Sequence, residues 1–440
     1  MAGACVEDRV RQRGRLDAAL GSAAVTGRRD PRLAAVRPAA RDQESEAQDP
    51  RTHGSDATPL WAVNLPYLTA ALPGIGGVLR TSVDDFVVDE EPAYLPIGTG
   101  DHVFVRIEKR GLTTPMTIDR IARALSVRAR DIGVAGMKDR HAVTRQWLSL
   151  PPPVTPEAAQ ALALEDIRIL EVARHPHKLR TGHVRANRFV LRVRGMTASV
   201  DEAVERARAI LGALATAPGA PNWYGEQRFG REGDNAEKGL AIVRGQMRPP
   251  RDHKLARLLV SALQSELFNR WLVARLADGL YAKVLAGDVM HKLRDPAAAQ
   301  GSAAAEGVVR SGGGMFVSDA PDVDEARLLA GEVGITGPMF GERMRRPTDG
   351  SPAAAREAAI LDAAGLSIES FQAVRSIAEG TRRDATVEVG SPSVRADGDA
   401  VEVAFSLPGG AYATTIMREI MKADVPREPE TAEHTNAVET

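Results

Sequence analysis

RFVLRVRG, residues 188–195, has apolar side chains at 189, 191 and 193, and arginines at 188, 192 and 194 between them. A period of two residues is typical of a β-strand with one face buried against a core and one face in water. We therefore expect a strand here, and its buried face anchors the interpretation of the rest of the chain. The face toward the core would carry Phe189, Leu191 and Val193, and the opposite face Arg188, Arg192 and Arg194.

Two further segments show the same alternation, HVFVRI (102–107) and VEVAFSL (401–407). Between these two segments, apolar residues recur at the spacing of α-helices. Thr114 is the expected N-cap of one helix, with Pro115 at its first position. The capping box of Ser199 with Glu202 predicts a helix through Leu214, and a long helix is expected over 254–278. Strands and helices that alternate irregularly predict an α+β fold with a mixed, mostly antiparallel sheet flanked by helices.

The 440 residues exceed what one hydrophobic core normally supports. Residues 1–58 have no aromatic residue and are predicted to be a disordered tail, as is 424–440. Loop-like segments interrupt the helices of 250–385, and strand patterns resume after it. We therefore expect 250–385 to be an inserted α/β domain between the two parts of a first domain, 59–249 and 386–423.

Composition excludes several classes of protein. The chain is 43% hydrophobic and 26% charged, and no apolar run approaches the ~18 residues that a membrane span requires. The only cysteine is Cys5, which rules out disulfides and cysteine-based zinc sites and favours the cytoplasm. No phosphate-binding loop is present, and GIGG (74–77) is not a dinucleotide motif. His175 and His177 are interpreted as surface histidines, so neither a metal nor a cofactor is expected.

The net charge is −1, but cations are concentrated locally. Residues 171–194 contain seven Lys or Arg and one acidic residue. Such a stripe can bind a phosphate backbone, with an affinity that falls as salt rises. A solvated cationic face is the alternative. If the stripe binds RNA, the expected contacts are Lys178, Arg180 and Arg185.

AGMKDRHAVTRQ (135–146) places three charges in succession, Lys138, Asp139 and Arg140. Two interpretations remain open. The triplet is a solvated turn, or Asp139 is a reacting carboxylate that the flanking cations keep ionised. A carboxylate that stays ionised is a poor general acid at neutral pH, although it can serve as a nucleophile.

Two other segments have an unusual composition. PNWYGEQRFGREGDN (221–235) interleaves aromatic residues with amides and Arg, as a base-stacking pocket does. An aromatic core cluster in a tight turn is the alternative. LPGGAYATTIMREI (407–420) ends a strand, exposes Tyr412 after a glycine turn, and enters a helix with Thr414 or Thr415 as the expected cap.

Together these segments resemble the TruD family of tRNA pseudouridine synthases, in the family's order from about Leu79 to Ile420. The lysine-aspartate block, PNxxGxQRFG and LPxGxYATTxxRE are the most specific parts of the resemblance. The matching segments are DFVV (85–88), AGMKDRHAVTRQW (135–147), ARHPHKLR (173–180), ANRF (186–189), PNWYGEQRFG (221–230), SALQSELFN (261–269), LAGD (285–288), TGPMFG (336–341) and LPGGAYATTIMREI (407–420).

The resemblance implies a pseudouridine-synthase-like catalytic domain interrupted by a TRUD-type insertion. It implies isomerisation of uridine to pseudouridine at position 13 of the D arm of transfer RNA. Because the two nucleosides have the same atoms, no cofactor is expected, and we expect the protein to be a monomer. Asp139 matches the catalytic aspartate, and Arg80 and Tyr224 replace the family's usual Lys and Phe. The resemblance further implies that Phe86, Asn222 and Tyr412 would line the uridine pocket, that Tyr224 would stack, and that Arg80 would pair with Asp139.

Two other classes of function remain as alternatives. A non-catalytic RNA-binding or RNA-folding protein would use the same basic stripe and aromatic pocket, and its function would not depend on Asp139. A base-modifying methyltransferase is disfavoured because the sequence has no cofactor-binding loop.

Overall fold

The computed structural model describes residues 64–230, 232–293 and 314–423, all within one compact unit. Both predicted tails, with Cys5, lie outside the described residues. The strands are β1 (Gly76–Leu79), β2 (Phe86–Pro92), β3 (His102–Arg110), β4 (Gly133–Val134), β5 (Val143–Leu150), β6 (Ile167–His175), β7 (Val184–Met196), β8 (Ala220–Pro221), β9 (Val289–Lys292), β10 (Met315–Val317), β11 (Val333–Met339), β12 (Thr381–Asp384), β13 (Thr386–Val387), β14 (Gly390–Asp397) and β15 (Ala400–Pro408). The helices are α1 (Thr114–Ala124), α2 (Pro156–Gln160), α3 (Val200–Ala215), α4 (Asn235–Val243), α5 (His253–Ala277), α6 (Pro321–Leu329), α7 (Pro352–Ala363) and α8 (Ala413–Met421).

A nine-stranded sheet forms the centre of the fold. Its order is β14-β15-β7-β2-β5-β3-β6, with β1 beside β7 and β4 beside β5. Within the described ranges, only the β2–β5 pair is parallel. The predicted α+β class and its mixed, mostly antiparallel sheet are therefore confirmed. The strand expected at 188–195 is part of β7, which bonds to β15 on one side and to β2 on the other.

The main hydrophobic core lies between this sheet and helices α3 and α8. Leu191 and Val193 of β7 are fully buried in it, together with Phe86 of β2 and Phe405 of β15. Ser199 caps α3 as predicted, accepting a hydrogen bond from the backbone N–H of Glu202. The expected cap of α1 is shifted by one residue, because the Thr113 side chain accepts the Met116 N–H.

A second, four-stranded sheet with the order β10-β9-β11-β12 is antiparallel throughout. All of its strands lie between residues 289 and 384, after which β14 and β15 return to the central sheet. The long helix α5 packs against β11, and Phe268 and Trp271 form a core with Trp223 from the segment before it. This path is what an inserted domain produces, while the boundaries at 250 and 385 remain a prediction.

His175, interpreted from the sequence as a surface residue, is buried. It is 8% exposed at the end of β6, with its ring centroid 4.6 Å from that of Phe104 and 5.1 Å from that of Tyr94. Burial lowers the pKa of His175, and the neighbouring His177 and His102 lower it further. The strand pattern misses this because His175 is the last residue of β6 and is covered by a loop from elsewhere in the chain.

This histidine predicts a loss of stability in mild acid. A pKa that is lower in the folded state means that the unfolded state binds the proton more tightly. The contribution of neutral His175 to the free energy of unfolding is therefore complete above about pH 6.5, and it is lost as the pH falls below that value. Urea titrations between pH 8 and pH 5 should show a smaller decline for His175→Phe than for the wild type. His253→Asn, at an exposed position, is the control and should decline like the wild type.

Candidate functional site

Asp139 lies in the loop between β4 and β5. Its Oδ2 is 3.3 Å from Nη2 of Arg80, and its side chain is 52% exposed. The Arg80 guanidinium also lies 4.2 Å from the ring centroid of Phe86. Arg80 directly follows β1 and has a positive φ of 66°. The structure thus brings together three of the predicted site residues.

Hydrogen bonds and an ion pair with buried polar groups hold the backbone of this loop. Lys109, which is fully buried, donates from Nζ to the carbonyl oxygen of Asp139 at 2.9 Å. Lys138 forms an ion pair with Glu90 at 2.6 Å, and these two side chains are 7% and 0% exposed. The Lys138 N–H donates to Oγ1 of Thr114. The loop is therefore held rigidly while the carboxylate of Asp139 stays accessible.

One expectation about the triplet is wrong. Lys138 does not flank Asp139 as a counter-charge, because its side chain turns into the protein toward Glu90. The cation that pairs with Asp139 is Arg80, 59 residues earlier in the chain. Sequence patterns did not single out Lys109 or Glu90, since both occupy ordinary strand positions and charged residues are rarely buried so fully.

A second group of side chains assembles around Tyr224. The ring centroids of Tyr224 and Tyr412 are 6.1 Å apart in an edge-to-face arrangement. The Arg383 guanidinium lies 4.0 Å from the Tyr224 centroid and donates to the backbone and side-chain oxygens of Asn222. Asn222 in turn donates from Nδ2 to the carbonyl oxygen of Asp384. Both ends of its amide are thus engaged within the protein.

Neighbouring residues hold this aromatic group in place. The Asn269 side chain bonds to both the N–H and the carbonyl of Tyr224. Arg228 donates to the hydroxyls of Ser265 and Ser261 on α5. The aromatic group around Tyr224 therefore connects three parts of the fold: the segment after β8, helix α5 and the start of α8.

Tyr412 differs from its expected state. It was predicted to be exposed, but it is only partly exposed. Burial raises the pKa of its phenol, with Arg228 and Arg383 acting in the opposite direction. Tyr412 itself is the N-cap residue of α8, without a side-chain cap bond, so neither Thr414 nor Thr415 is the cap. Its hydroxyl remains protonated at neutral pH, where it can donate a hydrogen bond.

A cleft of about 260 Å³ adjoins the aromatic group. One wall is the turn Gly409-Gly410 after β15, and the other comes from the second sheet. Arg383, which sequence reasoning missed, connects the walls by donating to both Asn222 and Gly410. The only signal for it was the pair of adjacent arginines in GTRRDATVEV (380–389). The lining includes Asn222, Tyr224, His291, Met339, Arg383 and Asp384.

The two groups of side chains both adjoin the main hydrophobic core. Ala142, at the end of the Asp139 loop, and Phe86 belong to the same hydrophobic core as Ala413 and Ile416 of α8. Among the residues that the structure describes, no hydrogen bond or ion pair joins Asp139 to Asn222 or Tyr412. The predicted site residues thus form two clusters that adjoin the same hydrophobic core.

The basic stripe is less continuous than its sequence indicates. Arg192 and Arg194 form ion pairs with acidic residues of neighbouring segments, among them Glu402 and Asp85. Arg185 pairs with Glu91 at 3.0 Å. Lys178 donates to the carbonyl oxygen of Arg130, and Arg180 is exposed in the loop between β6 and β7. The cationic contacts best placed for an anionic partner are thus in this loop.

The described part of the chain offers no cluster of three or more His, Cys, Asp or Glu able to hold a metal ion. Within the same residues, no helix is both long and apolar enough to cross a bilayer.

Comparisons with known proteins agree on one family. The family model "tRNA pseudouridine synthase D (TruD)" matches residues 62–249 and 251–420. A tRNA pseudouridine synthase D of Anaeromyxobacter dehalogenans (strain 2CP-C) is 48% identical over 366 residues, covering 82% of this chain and 97% of that one. One of Thermus thermophilus is 38% identical over 362 residues, covering 82% and 92%.

The fold has a solved counterpart. The crystal structure of the putative tRNA pseudouridine synthase D from Methanosarcina mazei superposes with a TM-score of 0.63 at 23% identity, covering 82% of this chain and 96% of that one. At that identity the likeness shows the shared fold. The family model and the relatives establish that the chain belongs to the tRNA pseudouridine synthase D (TruD) family.

Proposed function

We propose that this protein isomerises a uridine of transfer RNA to pseudouridine, at position 13 of the D arm, with Asp139 as the catalytic carboxylate. The observation that carries the proposal is the arrangement of that residue. Its carboxylate is accessible and paired with Arg80, while its backbone is fixed by the buried Lys109. Burying charged groups is costly, so a loop held in this way fits a reacting group better than a solvated turn.

The reaction needs little beyond such a group. The bond from the ribose C1′ to N1 breaks, a bond from C1′ to C5 forms, C5 loses a proton and N1 gains one. Because product and substrate have the same atoms, no redox partner or second substrate is required. The Asp139 carboxylate would either attack the sugar or assist the loss of a sugar proton, and the contact with Arg80 would orient it.

The target base must leave the RNA stack to reach the carboxylate, which costs a few kcal/mol. Stacking on an aromatic side chain contributes about 1–3 kcal/mol per base and can offset that cost. Tyr224 and Tyr412 are partly exposed and can supply aromatic faces. Phe86, which is buried next to the Arg80 guanidinium, would support the pocket from inside the protein. Because Arg383 donates to the side-chain oxygen of Asn222, we expect Asn222 to shape the pocket wall. We expect the Tyr412 hydroxyl to donate a hydrogen bond to the base.

We further propose the partner, oligomeric state and compartment of the enzyme. It acts on transfer RNA as a monomer in the cytoplasm, and no small-molecule cofactor takes part. The direct test is to map pseudouridine in RNA from cells with and without the gene. Loss of a single pseudouridine in the D arm of some transfer RNAs supports the proposal. An unchanged map would contradict it.

The loop at 178–185 predicts a salt-dependent contribution to RNA binding. Replacing Lys178 and Arg180 with alanine should weaken binding of all transfer RNAs alike, because phosphate contacts carry no sequence choice. The slope of log K against log[salt] should become shallower by roughly 0.7–0.9 for each phosphate that is no longer neutralised. Filter binding at several salt concentrations measures both. Arg208→Gln, which removes a cation of α3 paired with Glu205, is the control and should leave the slope unchanged.

A further inference from the structure

The Asp139 loop presents an apolar side chain to water beside the catalytic carboxylate. Met137 is 69% exposed. The Lys138 side chain next to it is 7% exposed, and the Asp139 side chain is 52% exposed. Two outward-pointing side chains thus flank one that is anchored inside the protein. Single exposed apolar residues are common on protein surfaces, so exposure alone assigns no role to Met137.

Met137 is distinguished by the hydrogen bonds that hold the backbone on both sides of it. On one side, the Ala135 carbonyl accepts the Gly182 N–H at 2.8 Å, and Ala135 is 2% exposed. On the other, Lys138 is held through its N–H by Thr114 at 2.9 Å and through its ammonium by Glu90 at 2.6 Å. A long apolar side chain therefore projects from a fixed point of the backbone.

Its distance from the reacting group is limited by the chain. Two residues of extended backbone span at most about 7 Å, so Met137 stays within that distance of the Asp139 backbone. When a uridine is everted toward Asp139, it leaves a gap in the RNA stack, and the adjacent bases each lose a partner. Proteins that unstack nucleic acid often insert an apolar side chain, methionine included, into such a gap. Methionine suits this role because its thioether is flexible and contacts ring systems favourably.

We infer that Met137 occupies the place that the flipped uridine leaves in the RNA stack. The inference rests on the proposed function, since it assumes a base everted toward Asp139. Met137 thereby stabilises the open RNA rather than taking part in the chemistry. Its contribution is largest for a uridine that starts out stacked in folded RNA, and small for a uridine in unstructured RNA.

Met137→Ala tests the inference through that difference. With folded transfer RNA, kcat/KM should fall on the order of tenfold, which corresponds to the removal of one stacking interaction. With a short unstructured RNA of the same local sequence, kcat/KM should change less than about twofold. Met137→Leu, which restores apolar bulk, should recover most of the activity on folded RNA. A 2-aminopurine placed beside the target uridine should brighten less on binding Met137→Ala than on binding the wild type, because fewer of the complexes hold the uridine flipped out of the stack.

The controls separate this inference from the proposed function. Val323→Ala removes another exposed apolar side chain, 61% exposed on α6, and should behave as the wild type on both RNAs. Undiminished activity of Met137→Ala on folded RNA overturns the inference, as does an equal loss on both RNAs. In either case, an inactive Asp139→Asn leaves the proposed function standing. A fully active Asp139→Asn overturns the proposed function itself.

Discussion

Asp139→Asn is expected to reduce pseudouridine formation on the order of 10³-fold or more while leaving transfer RNA binding nearly unchanged. Asparagine has almost the same shape and keeps one acceptor for Arg80, but it is neither a nucleophile nor a base. The Lys109 bond is to the backbone carbonyl, so the loop should keep its position. Single-turnover assays with labelled transfer RNA give the rate, and filter binding gives the affinity.

The chain offers a closely matched control. Asp278 is 55% exposed and is paired with Arg356, so it resembles Asp139 in exposure and partner but lies at the end of α5. Asp278→Asn should retain wild-type activity. If Asp139→Asn also retained it, the non-catalytic RNA-binding alternative would replace the proposed enzyme.

Glu90→Gln is expected to destabilise the protein by about 3–5 kcal/mol, because it leaves the Lys138 ammonium buried without its counter-charge. Glu90 is 0% exposed and also accepts the Trp147 N–H, so water cannot readily take its place. Activity should fall together with stability, since the same contact fixes the residue next to Asp139. Urea unfolding measures the free energy, and activity at low temperature isolates the effect on the loop.

A double replacement tests the cause. Removing both charges in Glu90→Leu with Lys138→Met should recover much of the lost stability, because no unpaired charge remains buried. Activity should not recover in full, since the loop would lose its anchor. Glu379→Gln removes a carboxylate from the exposed Arg343–Glu379 pair and should produce no measurable change. A stability unchanged by Glu90→Gln would show that the pair does not support the loop.

Local sequence was informative wherever neighbouring residues decide the structure. The alternation of 188–195 predicted a strand because every second side chain enters one core, and the Ser199 capping box predicted the start of α3 because its bonds are local. The resemblance to a family rested on segments such as AGMKDRHAVTRQW, and the comparisons confirm it. The sequence was misleading at His175 and Tyr412, because distant segments bury His175 and partly cover Tyr412.

The site depended on contacts between residues far apart in the chain. Arg80 and Asp139 are 59 positions apart, Lys138 and Glu90 are 48, and Arg383 and Asn222 are 161. No periodicity reports such pairs, because each partner occupies an ordinary position in its own element. The sequence by itself determined the class of fold, its main strands and helices, and the family. Only the tertiary structure decided which charge meets Asp139 and which side chains are buried beneath it, since folding alone removes those groups from water.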